Sequence, residues 1–192
     1  MKKILYFAVA ILFAATSVNC SSSKSSKTTP ISEGDVEISI PLGGDEYRSD
    51  KKYWRVVQMG TSTDVSMAKK VALQNARQEL AATVQAQVKA VIESYGQNAS
   101  ADNKTQAESL YQELTRTVVN QTLVGADIAG EKLFKTKEGN YRYHVCLQLS
   151  KEKVAEEVAK QLSEDEIMKL EFDRERFKQI YDEELAKFAK AQ

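Results

Sequence analysis

The sequence predicts an α+β domain: a small antiparallel sheet with long helices packed on one face and a helical extension at its C-terminal end. Three observations predict it. Ala68, Ala72, Ala76, Leu80, Val84, Val88, Val91 and Tyr95 recur every three or four residues, which is one face of a helix from about Asp64 to Tyr95. Tyr141–Ser150 alternates strictly, with Tyr141, Tyr143, Val145, Leu147 and Leu149 on one face and Arg142, His144, Cys146 and Gln148 on the other, which is a strand. Eight Gly and two Pro in 192 residues permit long helices and disfavour a turn-rich all-β fold.

The elements follow in order. Val36, Ile38 and Ile40 alternate with polar residues and suggest a short first strand, ended by Pro41. Tyr53–Thr61 is aromatic and β-branched, and reads as a strand. Ser62, Thr63 and Asp64 are three successive helix-capping residues ahead of the long periodic run. Gly96 stops that helix. A second helix is expected from Asp102 to Asn120, with Ala107, Leu110, Tyr111, Leu114 and Val118 on its face. Residues 128–135 read as a strand, and Lys137–Asn140 as a hairpin turn into the strand at 141. Ser150 caps the next helix. Ser163 and Glu166 form a capping box that is expected to open the last one.

That last helix carries Ile167, Leu170, Phe177, Tyr181, Leu185 and Phe188. Such a stripe either closes the domain's own core or docks onto a second copy or another protein. The core reading needs no partner and is preferred. Residues 151–192 hold 9 basic and 12 acidic residues, so the rest of this region is a solvated charged surface.

The N-terminal segment gives an address. Met1-Lys2-Lys3 precedes a twelve-residue apolar run, Ile4–Ala15, and a small polar exit, Thr16–Asn19. This is the pattern of a secretory signal peptide, and the run is too short to span a bilayer. Cys20 stands where a bacterial lipoprotein carries its acceptor cysteine, although Ser17 and Asn19 occupy places where Leu and a small residue are usual. Ordinary cleavage near Phe13-Ala14-Ala15 is the alternative. The Ser/Thr/Lys segment Ser21–Thr29 has nothing to bury and reads as a tether, which favours lipidation of Cys20. At about 0.8 kcal/mol per buried methylene, two or three acyl chains hold firmly. The expected organisation is a signal peptide over 1–19, a lipidated Cys20 with tether over 20–34, the α+β domain over 35–162 and a C-terminal helix over 163–192.

Composition excludes several functions. Lys plus Arg and Asp plus Glu both number 27, so the basic surplus that nucleic-acid binding needs is lacking. One His and two Cys rule out a multi-His or four-Cys zinc site. No cofactor or metal is expected. Loss of residues 1–19 removes Lys2 and Lys3 and leaves 25 basic residues against 27 acidic, which gives no reason from net charge to expect binding to anionic headgroups.

Candidate chemistry is sparse. His144 and Cys146 share a strand face, but side chains two apart stand about 7 Å from each other, beyond hydrogen-bond reach. A core or half-buried Cys beside an ordinary surface His is the simpler reading. Gly60-Thr61-Ser62-Thr63 joins a strand to a helix N-terminus and could cradle an anion, yet the same residues are good caps and no P-loop Lys follows. Trp54 and the Tyr residues could stack on a glycan, but Tyr111 and Tyr143 fall on core faces. Glu152, Glu156 and Glu157 among Lys151, Lys153 and Lys160 form a solvated face. Asn98, Asn103 and Asn120 begin N-glycosylation sequons, for which no modification is expected behind a bacterial signal.

Gly60-Thr61-Ser62-Thr63-Asp64 after a strand, then Met67-Ala68, Ala72, Ala76-Arg77 and Leu80-Ala81, resembles the LPP-twenty family of bacterial lipoproteins; so does Tyr141–Val145 running into a charged helix. The likeness covers about residues 35–162. It implies a compact α+β envelope lipoprotein without enzymatic activity and supplies no catalytic residues. Ser21-Ser22-Ser23-Lys24 stands where some bacteria place an acidic surface-export run, so the expected location is the outer membrane, facing the periplasm. The expected partners are the membrane, through Cys20, and a protein or second copy met by the C-terminal helix. The competing expectations are a cell-wall hydrolase or transferase and a glycan-binding protein.

Overall fold

Ala at three successive helical positions leaves room for a backbone to approach closely, and that space sets the architecture. The computed structural model describes residues 38–96, 104–166, 168–170 and 172–191. By internal contacts the chain divides into Met1–Ile38 and Ser39–Gln192; apart from Ile38, everything below belongs to the second unit. The elements are β1 (Tyr53–Ser62), α1 (Val65–Gly96), α2 (Lys104–Leu123), β2 (Asp127–Lys135), β3 (Tyr141–Ser150), α3 (Lys151–Glu164) and α4 (Arg174–Ala191). The fold is α+β, as the alternating and helical periodicities require.

The three strands form one antiparallel sheet in the order β1-β3-β2. β3, the most apolar strand, takes the centre. It pairs Tyr53 with Ser150 through Ser62 with Tyr141 on one side, and Ile128 with Leu147 through Lys135 with Tyr141 on the other, with a bulge between Ile128 and Gly130. The 136–140 turn closes the hairpin through the Thr136 N–H to Asn140 O (2.8 Å) and the Gly139 N–H to Thr136 O (3.1 Å).

All eight expected α1 residues are buried. The Ala half of α1 lies on β1 at Gly60, where a Cβ would stand 2.3 Å from Ala68 O and 2.5 Å from Ala72 N. Only glycine permits that approach. Past the sheet, the Val and Ile half of α1 packs against α2 and α4, and α2 packs against α3. Trp54, Val56, Tyr143, Val145, Leu147 and Leu149 from the sheet join α1, α2, α3 and α4 in one core.

Caps explain the helix starts. Asp64 caps α1: its carboxylate accepts from Met67 N–H (2.8 Å) and its carbonyl from Ala68 N–H (3.0 Å). Ser150 caps α3 by accepting from Lys153 N–H at 3.3 Å. The expected capping box at Ser163 does not form. Ser163 lies in the last turn of α3 and its hydroxyl donates to Lys160 O (2.8 Å). Asp165 instead accepts from Met168 N–H at the head of a short 3-10 turn, Met168–Leu170, and Asp173 from Arg176 N–H at the head of α4. Two aspartates, whose carboxylates suit a helix N-terminus, thus divide what reads in sequence as one helix.

The expected first strand is also absent over its described part. Ile38–Ile40 has no regular structure, Ile38 and Ile40 are exposed, and Ile40 O takes the Gly43 N–H at 3.1 Å in a turn; residues 35–37 lie outside the described residues.

The apolar stripe of α4 is used unevenly. Phe177 and Tyr181 are buried in the chain's own core beside Tyr95 and Phe172. The Tyr181 hydroxyl donates to Lys151 O (2.7 Å), and the Ser94 hydroxyl of α1 donates to Glu184 (2.8 Å). Leu185 and Phe188 are half-buried.

Candidate functional site

Strand alternation gives the sheet two faces, and only one meets α1. Register places the outer face in cross-strand rows: Arg55 beside Gln148, Val57 beside Cys146 and Gly130, Met59 beside His144 and Lys132, and Thr61 beside Arg142 and Phe134. Two rows are covered and two are open.

The segment Tyr47–Asp50 covers the first two. Tyr47 lies so close over Gly130 that a Cβ there would meet its ring at 2.5 Å, and the Cys146 thiol points at Tyr47 O, 3.8 Å away. Arg55 donates to Gln148 (3.1 Å), Arg48 O (2.8 Å) and Asp50 (2.7 Å). Burial works to raise the Asp50 pKa, but Arg55 and the N–H groups of Lys52 and Tyr53 hold it down at about 2.

The open rows hold Met59 (47% exposed), Phe134 (44% exposed), Lys132, Arg142, Thr61 and the half-buried His144. Phe134 meets the His144 ring edge-on, with centroids 5.5 Å apart. This is an open, apolar and basic surface. β2 is the edge strand; its Ile128 and Leu133 are also exposed, but they pair with Leu147 and Tyr143 and so lie on the opposite face.

The other sequence candidates are not brought together. His144 and Cys146 share the face as expected, but His144 packs on Phe134 while Tyr47 covers Cys146. Burial raises the thiol pKa against the opposing effect of Arg55, so the thiolate that nucleophilic chemistry needs is disfavoured. Burial, and then the Arg142 charge, lower the His144 pKa. Gly60 lies within β1 beneath α1, and the Asp64 carboxylate occupies the α1 N-terminus where an anion would sit. Glu152 and Glu156 are exposed on α3, and Glu157 accepts from Gln161 (2.8 Å). Among the described residues no cluster of three or more His, Cys, Asp or Glu could hold a metal. Cys20 lies outside the described residues.

A groove of about 670 Å³ runs between the 49–54 segment and α4, lined by Asp50, Trp54, Lys151, Asp182, Leu185 and Phe188. Trp54 makes no stacking platform there. It is 2% exposed, its indole N–H donates to Gln87 (2.8 Å), and the Lys151 ammonium lies 5.5 Å from its ring centroid. Burial lowers the Lys151 pKa, with Asp50 acting the other way.

At the sheet edge, Lys69 reaches Glu131 (3.4 Å), which accepts from the Tyr143 hydroxyl. This cluster ties the start of α1 to β2. Sequence reading missed the open patch because its residues come from three strands, and only the β1-β3-β2 register assembles them. Among the described residues no helix is long and apolar enough to cross a membrane. In comparisons with known proteins the chain matches no family model, no curated protein and no solved structure.

Proposed function

We propose that this chain is a non-enzymatic lipoprotein of a bacterial cell envelope, hung by Cys20 from the outer membrane toward the periplasm as a structural or partner-binding module. Membership of the LPP-twenty family is part of that reading. It rests on the Gly60–Asp64 junction and the Ala68, Ala72, Ala76 series, whose role in the fold is the close approach of α1 to β1. One observation carries the binding role: half of the outer sheet face exposes large apolar side chains, Met59 and Phe134. The dispersal of the ionisable candidates and the burial of Trp54 favour binding over cell-wall hydrolysis, transfer or glycan stacking. Docking through α4 has less support, because Phe177 and Tyr181 are already used in the core.

The test is made in cells. Wild-type protein should incorporate labelled fatty acid and partition into detergent. Cys20→Ala should take no label, and should be released or keep its signal. A photo-crosslinking residue at Phe134 should give an adduct in native membranes that the same residue at exposed Glu152 does not. Partitioning of Cys20→Ala like wild type, with its signal removed, overturns the anchor. Equal crosslinking at the two positions overturns the surface.

A further inference from the structure

Net charge conceals how the charges are distributed. Of the six residues in the open rows, Lys132 and Arg142 are basic and none is acidic. The adjoining turn adds Lys137 and Glu138, which offset each other, while acids outnumber bases over 151–192, the region of α3 and α4. We propose that the open half of the outer sheet face docks onto an anionic phospholipid surface, with Phe134 and Met59 entering the headgroup boundary and Lys132 and Arg142 meeting the phosphates.

Three features favour this occupant over a protein. Two basic groups share the open rows with two large apolar ones, which is the chemistry of an interfacial lipid site. Lys and Arg can lay their methylene stems beside the apolar pair and keep their charges at headgroup level. A second copy pairing along the β2 edge would meet the bulge at Ile128/Gly130 and the charges of Glu131 and Lys132, features that oppose edge pairing. The proposal extends the lipoprotein reading, since an anchored chain always has such a surface within reach.

The experiment uses the mature chain from residue 20 carrying Cys20→Ser, so that no acyl group contributes. It should float with vesicles of equal parts phosphatidylcholine and phosphatidylglycerol and not with phosphatidylcholine alone. Added salt should release it. Lys132→Gln and Arg142→Gln should each weaken binding about fivefold. Phe134→Ser should weaken it further, whereas Lys153→Gln on the exposed side of α3 should change nothing. The replaced side chains are exposed, so the variants should melt with wild type; the salt titration of the unmutated patch tests the idea independently. Binding indifferent to phosphatidylglycerol or to salt, or a double variant that binds like wild type, overturns the proposal. So does a solution dimer dissociated by Lys132→Gln/Arg142→Gln while vesicles capture nothing, which assigns the patch to a second copy. Because the protein tested is not acylated, failure here is distinct from failure of Cys20 to be lipidated in cells.

Discussion

Gly60→Ala should be among the most damaging single-atom additions to this chain. The new Cβ would stand 2.3 Å from Ala68 O, 2.5 Å from Ala72 N and 2.9 Å from Val71 Cβ. The two nearest atoms are helix backbone, so no side chain can rotate away. Ordinary contact between heavy atoms lies at about 3.5–4.0 Å, so the start of α1 must lift by about 1 Å. Lifting it loosens Ala68, Ala72 and Ala76 against β1, all of them fully buried. Overpacking typically costs about 1–3 kcal/mol, and a clash between backbones belongs at the upper end. In a domain of this size about 3 kcal/mol lowers the melting temperature by about 6–12 °C. Gly125→Ala is the matched control. Its Cβ would meet only Thr122 O, at 3.4 Å, and should leave stability unchanged or raise it by about 0.4–1 kcal/mol. Urea and thermal unfolding of both variants measure the difference. A Gly60→Ala protein within about 0.5 kcal/mol of wild type would refute the close approach of α1 to β1.

Other outcomes follow from the same structure. Cys146 is a buried free thiol with a raised pKa, so a thiol reagent should label it only after denaturant is added; rapid labelling of the native protein would contradict the Tyr47 cover. Asp50 has a folded pKa of about 2, below the ordinary aspartate value of 3.8, so the stability it confers is present above pH 3.8 and lost as pH falls toward 2. Asp50→Asn should flatten that part of the stability profile, as acid titration of both proteins would show. Phe177→Ala should cost about 3–5 kcal/mol in chemical denaturation; a neutral result would free α4 from the core. Burial and Arg142 lower the pKa of His144, the chain's one histidine, so its ring should titrate below 6.5 by NMR and stability should fall as pH drops through that range. Titration at or above 6.5 would contradict its packing beneath Phe134.

How much was readable depends on the range of the forces involved. The α1 face and the β3 alternation are local periodicities, and both stand as expected. Asp64 and Ser150 are legible caps because each closes onto backbone within four residues. Ser163 misleads for the same reason: a short pattern cannot tell the first turn of one helix from the last turn of another, and Asp165 and Asp173 divide the segment. The Val36, Ile38, Ile40 alternation lacks any sign of an edge to pair with. The site is least legible. Cys146 is covered by Tyr47, 99 residues away, and Trp54 is satisfied by Gln87, 33 residues away. Phe134 and Met59 come together on the outer face only through the register of three strands.

The central position of β3 fixes when this protein can fold. β1 is made early, yet its hydrogen-bonding partner begins at Tyr141, and β2 pairs with that same strand. Until residue 150 has emerged from the ribosome, β1 has no strand neighbour and the Ala face of α1 has no finished sheet to settle on. Such distant pairing slows folding, because a long loop must close before its contacts form. A chain wired in this way stays threadable through most of its synthesis and gains its tertiary structure late, when the last strand and the helices behind it arrive together.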